Sequence, residues 1–418
     1  METHPMPTLG AILFGIALLH TFGAKYFEVL AHRHPNHAGL LHLLGEVEVV
    51  FGFWALVLVV SMAFVSGSAH AVAYAESRHY TEPLFVFVVM VVAASRPVLE
   101  AVQRVLGGAA QVVPLPTPVV QAWLGLAVVP LIGSLVTEPA AMTLAALLLA
   151  PQIFRPGIPE RLKYAALGVL FVNVSIGGTL TAFAAPPVLM VARTWNWDSA
   201  HLASTLGWKA AVAVGINATA MVVLLRPHLT GTRATTTPPA QPVPWVVSLV
   251  HLAFLGGVVS LAHHPVLFMG LFLFFLGYTQ AYARFQSPLI LREGLLVGFF
   301  LAGLVVLGGM QQWWLQPIVS SLQPTALFFG ATALTAITDN AALTYLGSLI
   351  DGISEASKYM LVAGSVAGGG LTIIANAPNP AGAALLKPGF NDGSIGAGGL
   401  FLGALAPTAV AIACFLLL

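Results

Sequence analysis

Long apolar stretches alternate with short polar connections along the whole chain. In the first half the apolar stretches cover 9–30, 41–65, 83–105, 118–150, 164–191 and 207–225. A Thr- and Pro-rich segment follows, and the stretches resume at 245–262, 265–283, 289–309, 317–350, 359–386 and 395–418. Stretches of this length read as membrane-spanning helices of roughly 20 residues. The ten-residue alternation of a transmembrane β-barrel is absent. Two of the stretches, 118–150 and 317–350, are too long for one span, and each is interrupted by a polar phrase. Two others are broken by glycine and proline: 164–191 at Gly177-Gly178 and Pro186-Pro187, and 359–386 at Gly368-Gly369-Gly370, Pro378 and Pro380. Proline stops a helix from re-forming across such a break, and glycine lets another backbone come close. The expected fold is therefore an all-α polytopic membrane protein built as two inverted repeats. Each has three helices, a re-entrant hairpin, a broken helix and a final helix, about ten spans plus two hairpins in all. The first repeat covers 1–226, a linker 227–243, and the second repeat 244–418.

Two pairs of phrases support the repeat. Thr137-Glu138-Pro139-Ala140-Ala141-Met142-Thr143 parallels Thr338-Asp339-Asn340-Ala341-Ala342-Leu343-Thr344, and Gly177-Gly178-Thr179-Leu180-Thr181 parallels Gly368-Gly369-Gly370-Leu371-Thr372. The pairs occur in the same order at similar spacing.

Composition sharpens the class. Of 418 residues, 58% are hydrophobic and 7% charged, against about 25% charged in a soluble domain. The expected partner is a lipid bilayer. A net charge of +1 offers no case for nucleic-acid binding. The single cysteine, Cys414, excludes an intramolecular disulfide. The N-terminal residues before Thr8 carry no Lys or Arg, so the first stretch reads as a retained span rather than a signal peptide. If both interrupted stretches are hairpins, each half crosses the membrane five times and the second half is inverted. Most of the 16 Lys and Arg residues then fall on one face, with Arg78, Arg193, Lys209 and Lys358 on the other. The positive-inside rule makes the richer face cytoplasmic and puts both termini outside.

Inverted repeats with interrupted helices are the pattern of secondary transporters, whose sites lie near the midplane where the repeats meet. A carboxylate at membrane depth costs at least roughly 2.5–3.5 kcal/mol. Protonation, a bound cation or an ion pair offsets that cost, and no Lys or Arg lies near either phrase. Glu138 and Asp339 are thus expected to alternate between Na⁺ and protons. Hard oxygen donors surround them in sequence: Thr137, Thr143, Thr338, Thr344 and the Asn340 amide. Asn173, Ser175, Thr181, Thr372, Asn376 and Asn379 line the broken helices, where each alternatively makes a helix–helix hydrogen bond.

At this point the chain resembles a family. The phrase Thr338-Asp339-Asn340-Ala341-Ala342-Leu343-Thr344 is similar to the Asp-Asn-Ala-Pro hairpin motif of sodium/proton antiporters in the ion-transporter superfamily, of the NhaD type. The chain departs from it at Ala342, where members often have Pro, and at Glu138-Pro139 in the first hairpin. The resemblance implies a homodimer in a bacterial inner membrane, with a scaffold domain and a transport domain that moves elevator-fashion. Relatives that carry dicarboxylates have neutral Ser-Asn-Thr tips, so acidic tips point to cations. The function expected is exchange of Na⁺ or Li⁺ for protons, with no cofactor beyond the transported ions. The alternative is a proton- or sodium-coupled carrier of an organic or inorganic anion.

Other polar residues are open to more than one use. Glu46 and Glu48 stand near the cytoplasmic end of the second stretch, where one faces the site, pairs with Lys25, or snorkels to the surface. His32, His34, His37 and His42 cluster in a loop that reads as a metal site, a pH sensor or a solvated connection. No Walker loop, zinc-binding helix or nucleophile elbow occurs, so no enzyme activity is expected.

Overall fold

The computed structural model describes residues 5–229, 242–391 and 393–418. Among them every regular element is helical. The first half contains α1 (Pro5–Arg33), α2 (Val47–Ser66), α3 (Thr81–Ala93) and α4 (Arg96–Val112). Then come α5 (Thr117–Val136), α6 (Glu138–Leu149), α7 (Glu160–Gly177), α8 (Pro186–Trp195) and α9 (Ser199–Leu229). The second half contains α10 (Trp245–Ser260), α11 (Pro265–Ala281), α12 (Leu291–Gly308) and α13 (Gln312–Ser321). It ends with α14 (Pro324–Thr335), α15 (Asn340–Ser348), α16 (Glu355–Gly368), α17 (Asn379–Leu386) and α18 (Ala397–Leu417). Most of the linker expected at 227–243 lies outside the described residues.

Several expected segments divide further. The stretch 83–105 is two helices, α3 and α4, bent by 62°. The bend falls at Ala94-Ser95, just before Pro97, which cannot donate into a continuing helix. The stretch 41–65 is divided between the end of a short helix at Ala38–Leu44 and α2, which begins at Val47. The stretch 317–350 is preceded by α13, so its first arm starts at Pro324. Six helices among the described residues are long and apolar enough to cross a membrane, or seven with the bent pair counted as one. Others are apolar but shorter, at 10–17 residues, including α10, α11 and α14.

Buried side chains form two large clusters, and each draws on both halves of the chain. One joins α5–α9 with α14 and α16–α18. The other joins α1–α3 with α10–α12. The second also takes Val136, Ala140, Leu189, Met190, Ala341, Ala342 and Leu346, which flank the two acidic phrases and the first break. The acidic phrases therefore lie along the seam between the two cores.

Glycine sets how closely the helices cross. A Cβ at Gly403 on α18 would lie 2.3 Å from the Tyr164 carbonyl oxygen on α7, and one at Gly168 would lie 2.4 Å from the Gly403 carbonyl. In the other core, a Cβ at Gly303 on α12 would lie 2.3 Å from the Gly52 amide nitrogen on α2. Apolar lipid gives helices little hydrophobic reason to associate, so close backbone contact of this kind matters more there than in water. Substituting Gly403 with Val should lower thermal stability in detergent by about 1–3 kcal/mol, the usual cost of overpacking. Gly398→Ala on the same helix meets open space and should be close to neutral in the same melting assay.

Candidate functional site

Each acidic phrase begins a helix. α5 stops at Val136 and α6 starts at Glu138, so the turn is Thr137 alone, and the two helices pack on one another. Thr137 has φ 128°, a conformation that β-branched residues rarely adopt. Such strain costs of order 1–3 kcal/mol and persists only where the surroundings enforce it. Here the Thr137 hydroxyl caps α6 by accepting from the Ala140 amide at 3.4 Å. In the second phrase Asp339 is itself the cap, its Oδ1 accepting from Ala341 N at 2.8 Å and Ala342 N at 3.2 Å. Both carboxylates sit where the helix dipole favours negative charge.

The breaks bring other polar groups to these tips. Glu138 is fully buried. Its Oε2 accepts from the Asn376 amide at 3.0 Å, and its Oε1 has no hydrogen-bond partner among the described residues. Gly178 makes room for that carboxylate, since a Cβ there would stand 2.6 Å from Oε1. Asn376 lies between α16 and α17 and is 1% exposed. Beside it, Ala375 accepts from the Asn340 backbone amide at 3.1 Å, which ties the second break to the second acidic phrase. The Asn340 side chain donates to Ser175 on α7 at 3.4 Å, and Ser175 donates to the Val366 carbonyl on α16 at 2.8 Å. Asn379, the first residue of α17, donates to the Gly369 and Thr372 carbonyls at 2.7 and 2.9 Å. The Oδ1 atoms of Asn340, Asn376 and Asn379 are buried without partners among the described residues, as is the Thr335 hydroxyl oxygen. The neighbourhood is rich in acceptor oxygens and poor in donors.

The remaining expected residues are placed differently. Thr181 donates to the Ser134 carbonyl and Thr372 to the Ala336 carbonyl at 2.8 Å, so each break is tied to the helix leading into an acidic phrase. Thr143, Thr338 and Thr344 donate to carbonyls of Pro139, Leu334 and Ala341, within the helices or turns that carry them. Asn173 lies away from the tips and repairs a helix. Pro130 cannot donate to the Leu126 carbonyl, α5 loosens to a π-turn at Leu124–Val128, and Asn173 donates to Leu126 O at 2.8 Å. Its Oδ1 accepts from Asn217 on α9 at 3.0 Å.

A cavity of about 560 Å³ reaches the second phrase from one side. Thr338, Asp339, Ala342 and Asn376 line it, together with Glu46, Glu48, Phe51 and Phe300 from the other core. Glu138 does not line it, so Asn376 stands between the cavity and the buried carboxylate. Glu138 is within coulombic range of Asp339, and Asp339 of Glu48. Glu46 pairs with Arg292 of α12. The Lys25 side chain lies outside the described residues. The four loop histidines are exposed, and among the described residues no three His, Cys, Asp or Glu are placed to hold a metal ion.

Ser134 and Thr335 went unrecognised in the sequence. Each stands three residues before the threonine that opens an acidic phrase, so extending the repeat upstream would have found them. Ser134 donates to the Gly177 carbonyl at 2.6 Å and accepts from the Leu180 amide at 3.0 Å.

A family model described as "Putative Na+/H+ antiporter" matches residues 5–418, nearly the whole chain. The chain belongs to this family. Membership of the antiporter family supports an antiporter function in general and speaks for a transporter rather than an enzyme. With the apolar helices, it makes the chain an integral membrane protein. No curated protein matches the chain.

The cap geometry separates two substitutions at Asp339. Asn keeps an acceptor oxygen for the Ala341 and Ala342 amides, whereas Ala removes it. Asp339→Ala should cost about 0.5–2 kcal/mol of stability, and Asp339→Asn less, when melting in detergent is compared.

Proposed function

We propose that this protein exchanges Na⁺, or Li⁺, for protons at a site shared by Glu138 and Asp339. The observation that supports this most is the Glu138 carboxylate. It is fully buried, holds one amide donor from Asn376 and leaves its other oxygen unpaired, and the amide oxygen of Asn376 is unpaired too. A buried acceptor without a donor costs about 1–3 kcal/mol, more when charged. A cation coordinated by these oxygens, or a proton on the carboxylate, removes that cost. Na⁺ is a hard cation suited to oxygen ligands. Asn376 offers it Oδ1 while Nδ2 stays on Glu138. Asn340 and Asn379 supply further amide oxygens, and Thr137 shapes the first tip. The threonines that bond their own helices, Thr143, Thr338 and Thr344, keep lone pairs for the ion.

In this mechanism the two uses of the carboxylates compete. Deprotonated Glu138 and Asp339 accept Na⁺ from one side, and protons displace it after the site has changed sides. The two interrupted stretches act as re-entrant hairpins of two inverted repeats, residues 1–226 and 244–418, meeting at the midplane. The seam between the two cores is where a transport body, holding both tips, would slide against a scaffold in an elevator movement. By the positive-inside rule the end bearing Arg33, Arg96 and Arg104 is cytoplasmic. The cavity beside Glu46 and Arg292 then faces the cytoplasm, and both termini lie outside the inner membrane of a bacterium. A homodimer through the scaffold completes the arrangement. An anion carrier is less well supported, since no Lys or Arg side chain pairs with either tip carboxylate among the described residues.

The test is purified protein in vesicles with an internal pH dye and an imposed proton gradient. Addition of Na⁺ or Li⁺ should dequench the dye, and K⁺ should not. Asp339→Asn and Glu138→Gln should abolish the response. Normal exchange in both variants would disprove the site. Cation-independent uptake of a carboxylate would disprove the antiport reading itself.

A further inference from the structure

The cavity that reaches Asp339 is lined by two further acidic side chains, Glu46 and Glu48, and they are not equivalent. Glu46 immediately precedes α2 and pairs with Arg292, so its charge is balanced. Glu48, two residues on, lines the same cavity and makes no ion pair among the described residues. It lies where the apolar run Glu48–Ser66 begins, at the end of that helix rather than at its middle. The lining that Glu48 and Asp339 share is mainly apolar and includes Leu18, Phe51, Val297 and Phe300. Among the described residues, the charged groups that act on Glu48 are Glu46 and Arg292, which offset one another, and Glu48 in turn acts on Asp339.

An unbalanced carboxylate in a cleft with low-dielectric walls concentrates cations, because the field is focused rather than dispersed into water. We propose that Glu48 is the entry carboxylate of the transport path: it draws the incoming Na⁺ into the cavity and positions it for Asp339, without being one of the final ligands. The proposal rests on the cation-exchange reading above and deepens it. It assigns the three acids different tasks. Glu48 sits in the cavity, Asp339 bounds it, and Glu138 lies behind Asn376.

An entry role predicts a split between apparent affinity and maximal rate. In vesicles, Glu48→Gln should raise the KM for Na⁺ by about tenfold, the low end of electrostatic steering effects, with the maximal rate retained. Glu48→Asp should restore most of the affinity, which a simple packing role for the longer side chain would not. Asp339→Asn, by contrast, should lose exchange at every Na⁺ concentration. An unchanged KM in Glu48→Gln overturns the proposal. So does loss of exchange at saturating Na⁺ in Glu48→Gln protein that elutes as a single folded species, since that would make Glu48 a ligand. If the unmodified protein shows no Na⁺-driven exchange, it is the cation-exchange reading that fails. If it does, and only the Glu48→Gln affinity is unaltered, the entry role alone fails.

Discussion

Helices that stop inside an apolar body release backbone groups that have no water to bond, and other protein groups must satisfy them. Much of the interior polarity of this chain meets that requirement. Thr181 and Thr372 each tie a break to the helix that leads into an acidic phrase. Asn379 takes up the Gly369 and Thr372 carbonyls, and the Asn340 amide bonds Ala375. Asn173 satisfies the carbonyl that Pro130 leaves free. Once these bonds are assigned, several oxygens around the acidic phrases and breaks are left over. Those of Glu138, Asn340, Asn376 and Asn379 can only accept, and the Thr335 hydroxyl can accept or donate. In the function proposed, those oxygens are what a cation would bind.

Close packing makes this arrangement possible. Gly178 admits the Glu138 carboxylate, and a Cβ at Gly369 would collide with Ser175 Oγ and Asn340 Nδ2. The breaks approach the tips because glycine stands where any side chain would push them apart. Elsewhere Gly168 with Gly403, and Gly52 with Gly303, bring helix backbones together within each core. The two cores are dense inside, and the acidic tips lie between them. In the function proposed, one body would move against the other without repacking either.

The two acids are unequal in ways their matching phrases do not reveal. Thr137 caps the first helix and leaves Glu138 free to meet Asn376, whereas in the second phrase Asp339 does its own capping. Glu138 is closed off and Asp339 borders a cavity. In the exchange proposed, Asp339 meets an ion arriving from that side before Glu138 does, and the occluded acid responds through Asn376. The strained backbone of Thr137 is consistent with a turn built to aim one carboxylate.

Sequence alone determined that the chain is helical and apolar, that two helices break at glycine and proline after the acidic phrases, and which two acids lie in apolar surroundings. These properties are local, following from hydropathy, from the φ limits of proline and from the freedom of glycine. The family, too, was legible from one short phrase around Asp339. Contacts between distant residues were not legible. Nothing in the sequence marks Asn376 rather than Asn173 as the partner of Glu138, since both are asparagines at broken helices. Which one repairs a helix and which meets a carboxylate depends on how α7 and α16 lie against α5 and the first tip. Glu48 and Glu46 look alike in sequence, and only Arg292, far along the chain, separates them by neutralising one. The tertiary structure decided these assignments because charge and hydrogen-bond capacity are balanced between neighbours in space, not along the chain.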